Sequence, residues 1–304
     1  MNERTIRSLV FEFLLFYGAV NRPMSFFDIY RYLKRKTVEW NISQIYAVLN
    51  SLLSEGVIRT HEGLYSVSHL THETLPRRSQ DVCGDKKWMI FMRYSRVFRF
   101  IPFLGAACAA GSMSLGNVHE GSDFDTYIVA QEKRMFTMRF FLILLTGMLG
   151  SRRSGHHKKE EGSNKLCFNH FVTAKSLLLK PSYNMYWQEL YAHFVPLYGD
   201  KKIIEQLREI NAWTKAMKYT DDRRYGGDAK NIICRVVEYL LHGVMGDFFE
   251  MVLKKIQLYK INTSVLCAEY EPRIRVSDDE LEFHPDTRRI KEWMKKITAH
   301  RGGR

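Results

Sequence analysis

No apolar run in this chain is long enough to cross a bilayer. The longest, Phe140 to Leu149, falls far short of the roughly 20 residues that a spanning helix requires. A secretory leader is also missing, because the charges of Met1 to Arg7 lead into an apolar stretch broken by Glu12 and followed by no small-residue cleavage site. Cysteine is scarce. The five present, at positions 83, 108, 167, 234 and 267, are odd in number and show no paired ligand spacing, which argues against a disulfide framework and for a reducing, cytoplasmic setting. Acids are outnumbered: 33 Asp and Glu face 46 Lys and Arg, for a formal charge of +13. Such a surplus favours polyanionic partners, nucleic acid first and an anionic membrane surface second. No heptad pattern encodes an oligomeric state. What remains is a soluble chain of 304 residues, 45% hydrophobic, with material for a sizeable core in two or three domains and no membrane partner expected.

The most informative stretch is Gly111-Ser112-Met113-Ser114-Leu115-Gly116 followed by Gly121-Ser122-Asp123-Phe124-Asp125. Phe103 to Ala110 reads as a buried strand ending in small residues, and Tyr127 to Ala130 continues a second strand from the acids. Asp123 and Asp125 are two apart, so on an extended strand their carboxylates leave the same face and can converge on one ligand. Paired oxygen donors suit Mg²⁺, which fills its octahedron with water and substrate phosphate. Gly111 allows a tight turn and close backbone approach to a phosphate, and Ser112 adds a hydroxyl donor. A nucleoside triphosphate would then lie between amide donors and metal-bound carboxylates.

Gly111-Ser112 with Asp123-x-Asp125 resembles the signature of the DNA polymerase beta-like nucleotidyltransferase superfamily. The resemblance implies that Gly111 and Ser112 contact a triphosphate and that Asp123 and Asp125 hold Mg²⁺ ions joining the α-phosphate to an attacking hydroxyl. It also implies a third carboxylate on a neighbouring strand. The matching strand, Leu166-Cys167-Phe168-Asn169-His170-Phe171-Val172, has no acid. Asn169 is the positional match and can offer a carbonyl oxygen but no base at neutral pH; His170 could act as base if it faced the site. Three outcomes stay open: a two-carboxylate catalyst, an acid from elsewhere such as Asp278-Asp279-Glu280, or a nucleotide binder without turnover.

The first 70 residues carry three helical patterns and a hairpin. Ile6, Leu9, Val10, Phe13, Leu14 and Tyr17 form an apolar stripe; Ser25 can cap a second helix through Lys34; Asn41 can cap a third, stopped by Gly56. Val57 to Thr60 and Leu64 to Val67 flank a turn at Glu62-Gly63. This order resembles a winged helix-turn-helix. In a DNA-binding member the third helix would present Ser43, Gln44, Asn50 and Ser51, with phosphate contacts from Lys34, Arg35, Lys36 or Arg59. Residues 71–85 read as a linker. Arg93, Arg96 and Arg99, three apart, make a basic stripe that is either a solvated face or a track for phosphates. Met135 to Gly150 forms an apolar helix, and Ser151 to Lys165 a basic loop whose His156-His157 lacks partner ligands.

Beyond residue 180 the spacing is helical over Tyr186 to Leu197, Asp200 to Ala216 and Asp228 to Lys260. Asn169, Glu189, Val195-Pro196-Leu197 and Asn211-x-Trp213 are similar to the downstream part of prokaryotic proteins that couple a winged helix to a nucleotidyltransferase domain. That similarity sets Trp213 as a stacking surface and Lys215 as a phosphate contact for the nucleotide, or else a core Trp and a surface Lys. The expected architecture is α+β: a winged helix (1–70), a linker (71–85), a small mixed-sheet nucleotidyltransferase domain (86–180) and a helical C-terminal domain (181–304). The expected activity is Mg²⁺-dependent transfer of a nucleoside monophosphate from an NTP to a hydroxyl, on RNA before DNA. The alternatives are a protein or small-molecule acceptor, or an inactive nucleotide-binding regulator acting through the winged helix on DNA.

Overall fold

The computed structural model describes residues 3–36, 40–68, 77–153, 163–181, 183–216, 222–264, 273–284, 291, 292 and 295. The protein is mixed α+β with two sheets, and its chain divides into two compact units, the first holding residues 1–82 and the second nearly all of 83–288. Among the described residues no helix is long and apolar enough to cross a membrane.

In the first unit, local chemistry sets each boundary. Helix α1 (Glu3–Ala19) buries Ile6, Val10, Phe13, Leu14 and Tyr17 at helical spacing. Strand β1 (Met24–Ser25) leads into α2 (Phe26–Arg35), where Ser25 and Asp28 satisfy each other's backbone N–H groups in a capping box. Asn41 and Gln44 repeat the device at α3 (Ile42–Ser54). Strands β2 (Ile58–His61) and β3 (Leu64–Val67) pair around Glu62 and Gly63, both at positive φ, the turn geometry that matches strand twist. The strand β1 joins this hairpin as a third, antiparallel member.

The stretch 77–85 is not a linker but the opening of a long helix, α4 (Arg77–Ser95). Its first turns are tied down by tertiary bonds that no local pattern discloses. Arg77 pairs with Asp28 at 3.0 Å, Arg22 with Asp81 at 2.9 Å, and Gln80 donates to the Asn21 carbonyl. A mid-helix Gly84 costs about 1 kcal/mol relative to alanine, too little to break such a helix.

The second unit is built on a six-stranded mixed sheet in the order β7-β4-β5-β6-β9-β8. Its strands are β4 (Leu104–Ala109), β5 (Phe124–Ala130), β6 (Leu166–Thr173), β7 (Val195–Gly199), β8 (Arg273–Val276) and β9 (Glu280–His284). Of these strands only β5 and β6 pair in parallel. A parallel pair requires a long crossover, and α6 (Met135–Met148) lies in it. The remaining helices are α5 (Gly111–Leu115), α7 (Met185–Ala192), α8 (Lys201–Ile210), α9 (Ile232–Leu240) and α10 (Val244–Ser264). The core centres on Phe91, Phe98, Phe124, Phe136 and Phe171, all at most 1% exposed.

The separate helical domain expected over 181–304 is therefore corrected, because that segment contributes three of the six strands. Val195-Pro196-Leu197 is edge strand rather than helix end, and an edge is where a residue without an N–H is tolerated in a sheet. The helix expected over Asp200 to Ala216 ends at Ile210.

Helix α6 has no capping side chain of its own at Arg134. Its first-turn donors, the N–H groups of Phe136 and Thr137, go instead to the two carboxylate oxygens of Glu250 on α10, at 2.9 and 2.7 Å. A carboxylate there also meets the positive end of the helix dipole. Glu250→Ala is expected to lower stability by about 1–3 kcal/mol, read as a lower urea midpoint at unchanged slope, with Glu250→Gln recovering part of the loss.

Candidate active site

The site forms where β4 runs into α5 and where β5 begins. Ala110 N–H donates to the Asp125 carbonyl at 2.9 Å, so the Gly-Ser turn is bonded directly to the strand carrying the acids. Gly111 has φ +62, and a Cβ built on it would stand 2.1 Å from Asp125 Oδ2. Only a residue without a side chain fits between the turn and that carboxylate. Helix α5 is closed after one turn by Gly116, whose N–H donates to the Ser112 carbonyl at 2.8 Å.

Asp123 and Asp125 face the same side, as spacing two along a strand demands. Their oxygens and the Cys167 sulfur all lie within 4.8 Å of one another. Cys167 arrives through the parallel register of β6, which sets it opposite Asp125. Two residues on, Asn169 Nδ2 donates to Asp125 Oδ1 at 2.8 Å. Asn169 thus reaches the site as expected, but as a hydrogen-bond donor to a carboxylate rather than with its carbonyl oxygen forward. Burial, and then the neighbouring Asp123 charge, push the Asp125 carboxyl up to about 7 against the pull of Arg153, Cys167 and Asn169. Burial and the two acids likewise hold the Cys167 thiol well above its usual range.

Two side chains that the sequence did not single out complete the cluster. Arg153, at the start of the basic loop, forms an ion pair with Asp123. Lys87 on α4 is buried and donates to the carbonyls of Glu120 and Ser122 at 2.7 and 2.8 Å and to Asn164 Oδ1 at 2.8 Å. It clamps the loop that delivers Asp123. Neither had a local signal: Lys87 is one of many lysines, and its partners lie more than 30 positions away. His156-His157 lies outside the described residues.

No protein-family model, curated protein or solved structure matches this chain. The reading of the site therefore rests on its own geometry. The donor set fits a hard divalent cation in one respect, two convergent carboxylates, and departs from it in offering a thiol as the third group.

Other expected site residues fall elsewhere. Trp213 packs its ring against Tyr183 and Tyr191, with centroids at 4.8 and 6.2 Å, and its Nε1 donates to Asn211. None of its described contacts involves Gly111, Ser112, Asp123 or Asp125. Lys215 is exposed and groups with the first unit. Asn211 is buried and bonded to the backbone at Leu177, Leu179 and Leu207, a structural task. His170 turns away from the acidic pair toward Glu280, 3.4 Å from its Nε2. Burial alone would raise Glu280, yet the adjacent His170 and the bond from Lys180 hold it down at about 2. Glu280 is thus a buried partner of His170 and not the missing third acid.

Proposed function

We propose that the second unit is a nucleotidyltransferase of the DNA polymerase beta-like type, moving a nucleoside monophosphate from an NTP to a hydroxyl. The observation that carries this reading is the contact of Gly111 with Asp125: a turn able to bind phosphate is laid directly on a convergent acidic pair. Asp123 and Asp125 would hold Mg²⁺, which when bound supplies charge neutralisation at the transferring phosphate. Gly111 and the exposed part of Ser112 seat the triphosphate through backbone N–H groups and a hydroxyl. Asn169 holds Asp125 in place through its amide, and Lys87 holds the loop of Asp123. Arg153, paired with Asp123, would be placed to bind a triphosphate oxygen were the carboxylates to hold the cation.

RNA is the first acceptor class, on the +13 charge and on Arg93, Arg96 and Arg99, all of which are exposed. The first unit has the helix and strand order of a winged helix, but three of its four base-reading candidates are engaged within the fold. Ser43 and Gln44 bond to Asn41, and Ser51 bonds to Arg7 and Glu55. Only Asn50 is left for an outside partner, so this unit fits phosphate or protein contact better than sequence readout.

A second reading, a nucleotide-binding regulator without turnover, is favoured by one observation. Cys167, a thiol held in its protonated form, and Asn169, an amide, offer no base at neutral pH and are the β6 residues that meet the pair. Incubation with NTPs labelled at the α-phosphate, Mg²⁺ and total RNA, total protein or no acceptor separates the readings. Label in RNA is the expected result. Label confined to protein moves the acceptor, and saturable NTP binding with no label anywhere overturns the transferase in favour of the regulator.

A further inference from the structure

A second constellation lies farther along the sheet, where the register shift sets His170 beside Tyr127, two residues on from Asp125, and is assigned no part in nucleotidyl transfer. Glu282 and His284 are two apart on β9 and share a face, and the β6–β9 register sets His170 opposite Glu282. The donor atoms of these three side chains lie within 4.8 Å of one another. His284 Nε2 is 3.4 Å from Glu282 Oε1, and His170 Nδ1 is 4.0 Å from the same oxygen. Both separations are long for hydrogen bonds. They are close to the roughly 3.4 Å that separates two ligands of a tetrahedral ion bound at about 2.1 Å.

The groups behind these donors are arranged as supports. His170 Nε2 is 3.4 Å from Glu280 Oε1, and Glu280 is anchored by Lys180 at 2.7 Å. A histidine with one nitrogen toward a carboxylate and the other toward a donor cluster is the geometry of carboxylate–histidine–metal triads. Arg273 and Arg275 hold Glu282 through their Nε atoms, at 2.6 and 3.1 Å. The cluster is dry, with His170 4% and Glu282 0% exposed. Even so, the hydroxyl of Tyr127, whose ring lies 4.8 Å from that of His170, completes no hydrogen bond among the described residues. Buried polar groups are normally satisfied, and an unsatisfied hydroxyl beside two imidazoles and a carboxylate points to a ligand there. The His284 side chain, 23% exposed, gives it a way in.

We propose that His170, Glu282 and His284 bind a borderline transition-metal ion of the zinc class, tying β9 to β6. Two imidazoles and one carboxylate are a zinc set with a fourth position open to water, whereas Mg²⁺ and Ca²⁺ prefer all-oxygen surroundings. Glu280 acts on the ion through His170 and is a positioning residue. Lys180, Arg273 and Arg275 already offset the two carboxylates, so the imidazoles carry most of the affinity.

The test uses the full chain with Asp123→Asn and Asp125→Asn, so that the acidic pair contributes nothing. Zn²⁺ alone is titrated at pH 7.5 against a chromophoric chelator, and Co²⁺ alone is followed by its visible absorption. One equivalent of Zn²⁺ is expected, with the intense Co²⁺ bands of four-coordination. His284→Ala should weaken binding at least 100-fold and Glu280→Gln about tenfold. If His284→Ala fails to fold by circular dichroism, His284→Gln takes its place with the same expectation. A Kd weaker than about 10 µM in the parent, or unchanged binding in the folded His284 variant, overturns the proposal.

Discussion

Gly111→Ala is expected to remove NTP binding and at least 100-fold of any transfer activity while lowering stability by about 1–3 kcal/mol. Two independent effects act at this position. The backbone sits at φ +62, where a side chain costs about 1 kcal/mol or more. The new Cβ would also stand 2.1 Å from Asp125 Oδ2, a distance no methyl group tolerates. Either the turn or the carboxylate must move, and Asp125 is held by its bond from Asn169. The displacement therefore falls on the two halves of the site at once. A sharp control exists in Gly84→Ala, where the added Cβ meets nothing nearer than Val118 Cγ2 at 3.8 Å within α4. That variant should gain up to about 1 kcal/mol. Nucleotide binding by fluorescence and urea midpoints on the two variants give the comparison, and parental NTP affinity in Gly111→Ala would remove the basis for a phosphate site at this turn.

Much of this was legible in the sequence because it is local. Capping boxes span four positions, so Ser25 and Asn41 marked helix starts that the structure shares. Spacing two on a strand put Asp123 and Asp125 on one face without knowledge of any other element. What stayed hidden depends on partners distant in sequence. Residues 77–85 are polar enough to read as a linker until Arg22 and Asp28 supply counterions. Val195 to Leu197 is a short apolar run, ambiguous between helix and strand until β4 pairs with it. Strands β8 and β9 carry charges, among them Arg273, Glu280 and Glu282, that look solvated but neutralise one another inside the sheet. At the site, β6 as a strand was readable, but the presence of the Cys167 thiol beside the acids follows only from its register with β5.

Asp125→Asn is expected to act in opposite directions on stability and on chemistry. The folded chain holds this carboxyl at about 7, against 3.8 without its surroundings. For an acid raised on folding, the native state keeps its proton where the unfolded chain has lost it. Stability from this group is thus greatest at low pH and is lost as pH rises from about 4 through about 7. At pH 8 the buried charge beside Asp123 is a standing penalty on the order of a few kcal/mol. Asparagine removes it while its oxygen still accepts from Asn169. The variant should melt several degrees higher than the parent at pH 8 in metal-free buffer, with the difference shrinking as pH falls and vanishing below about pH 4. Over the same range it should lose at least 10³-fold of transfer activity, because one of two carboxylates able to hold the cation is gone. Scanning calorimetry at the two pH values, paired with the labelled-NTP assay, reads both signs. Equal melting at pH 8 would mean that the pair does not crowd charge, and parental activity would mean that it does not serve the reaction.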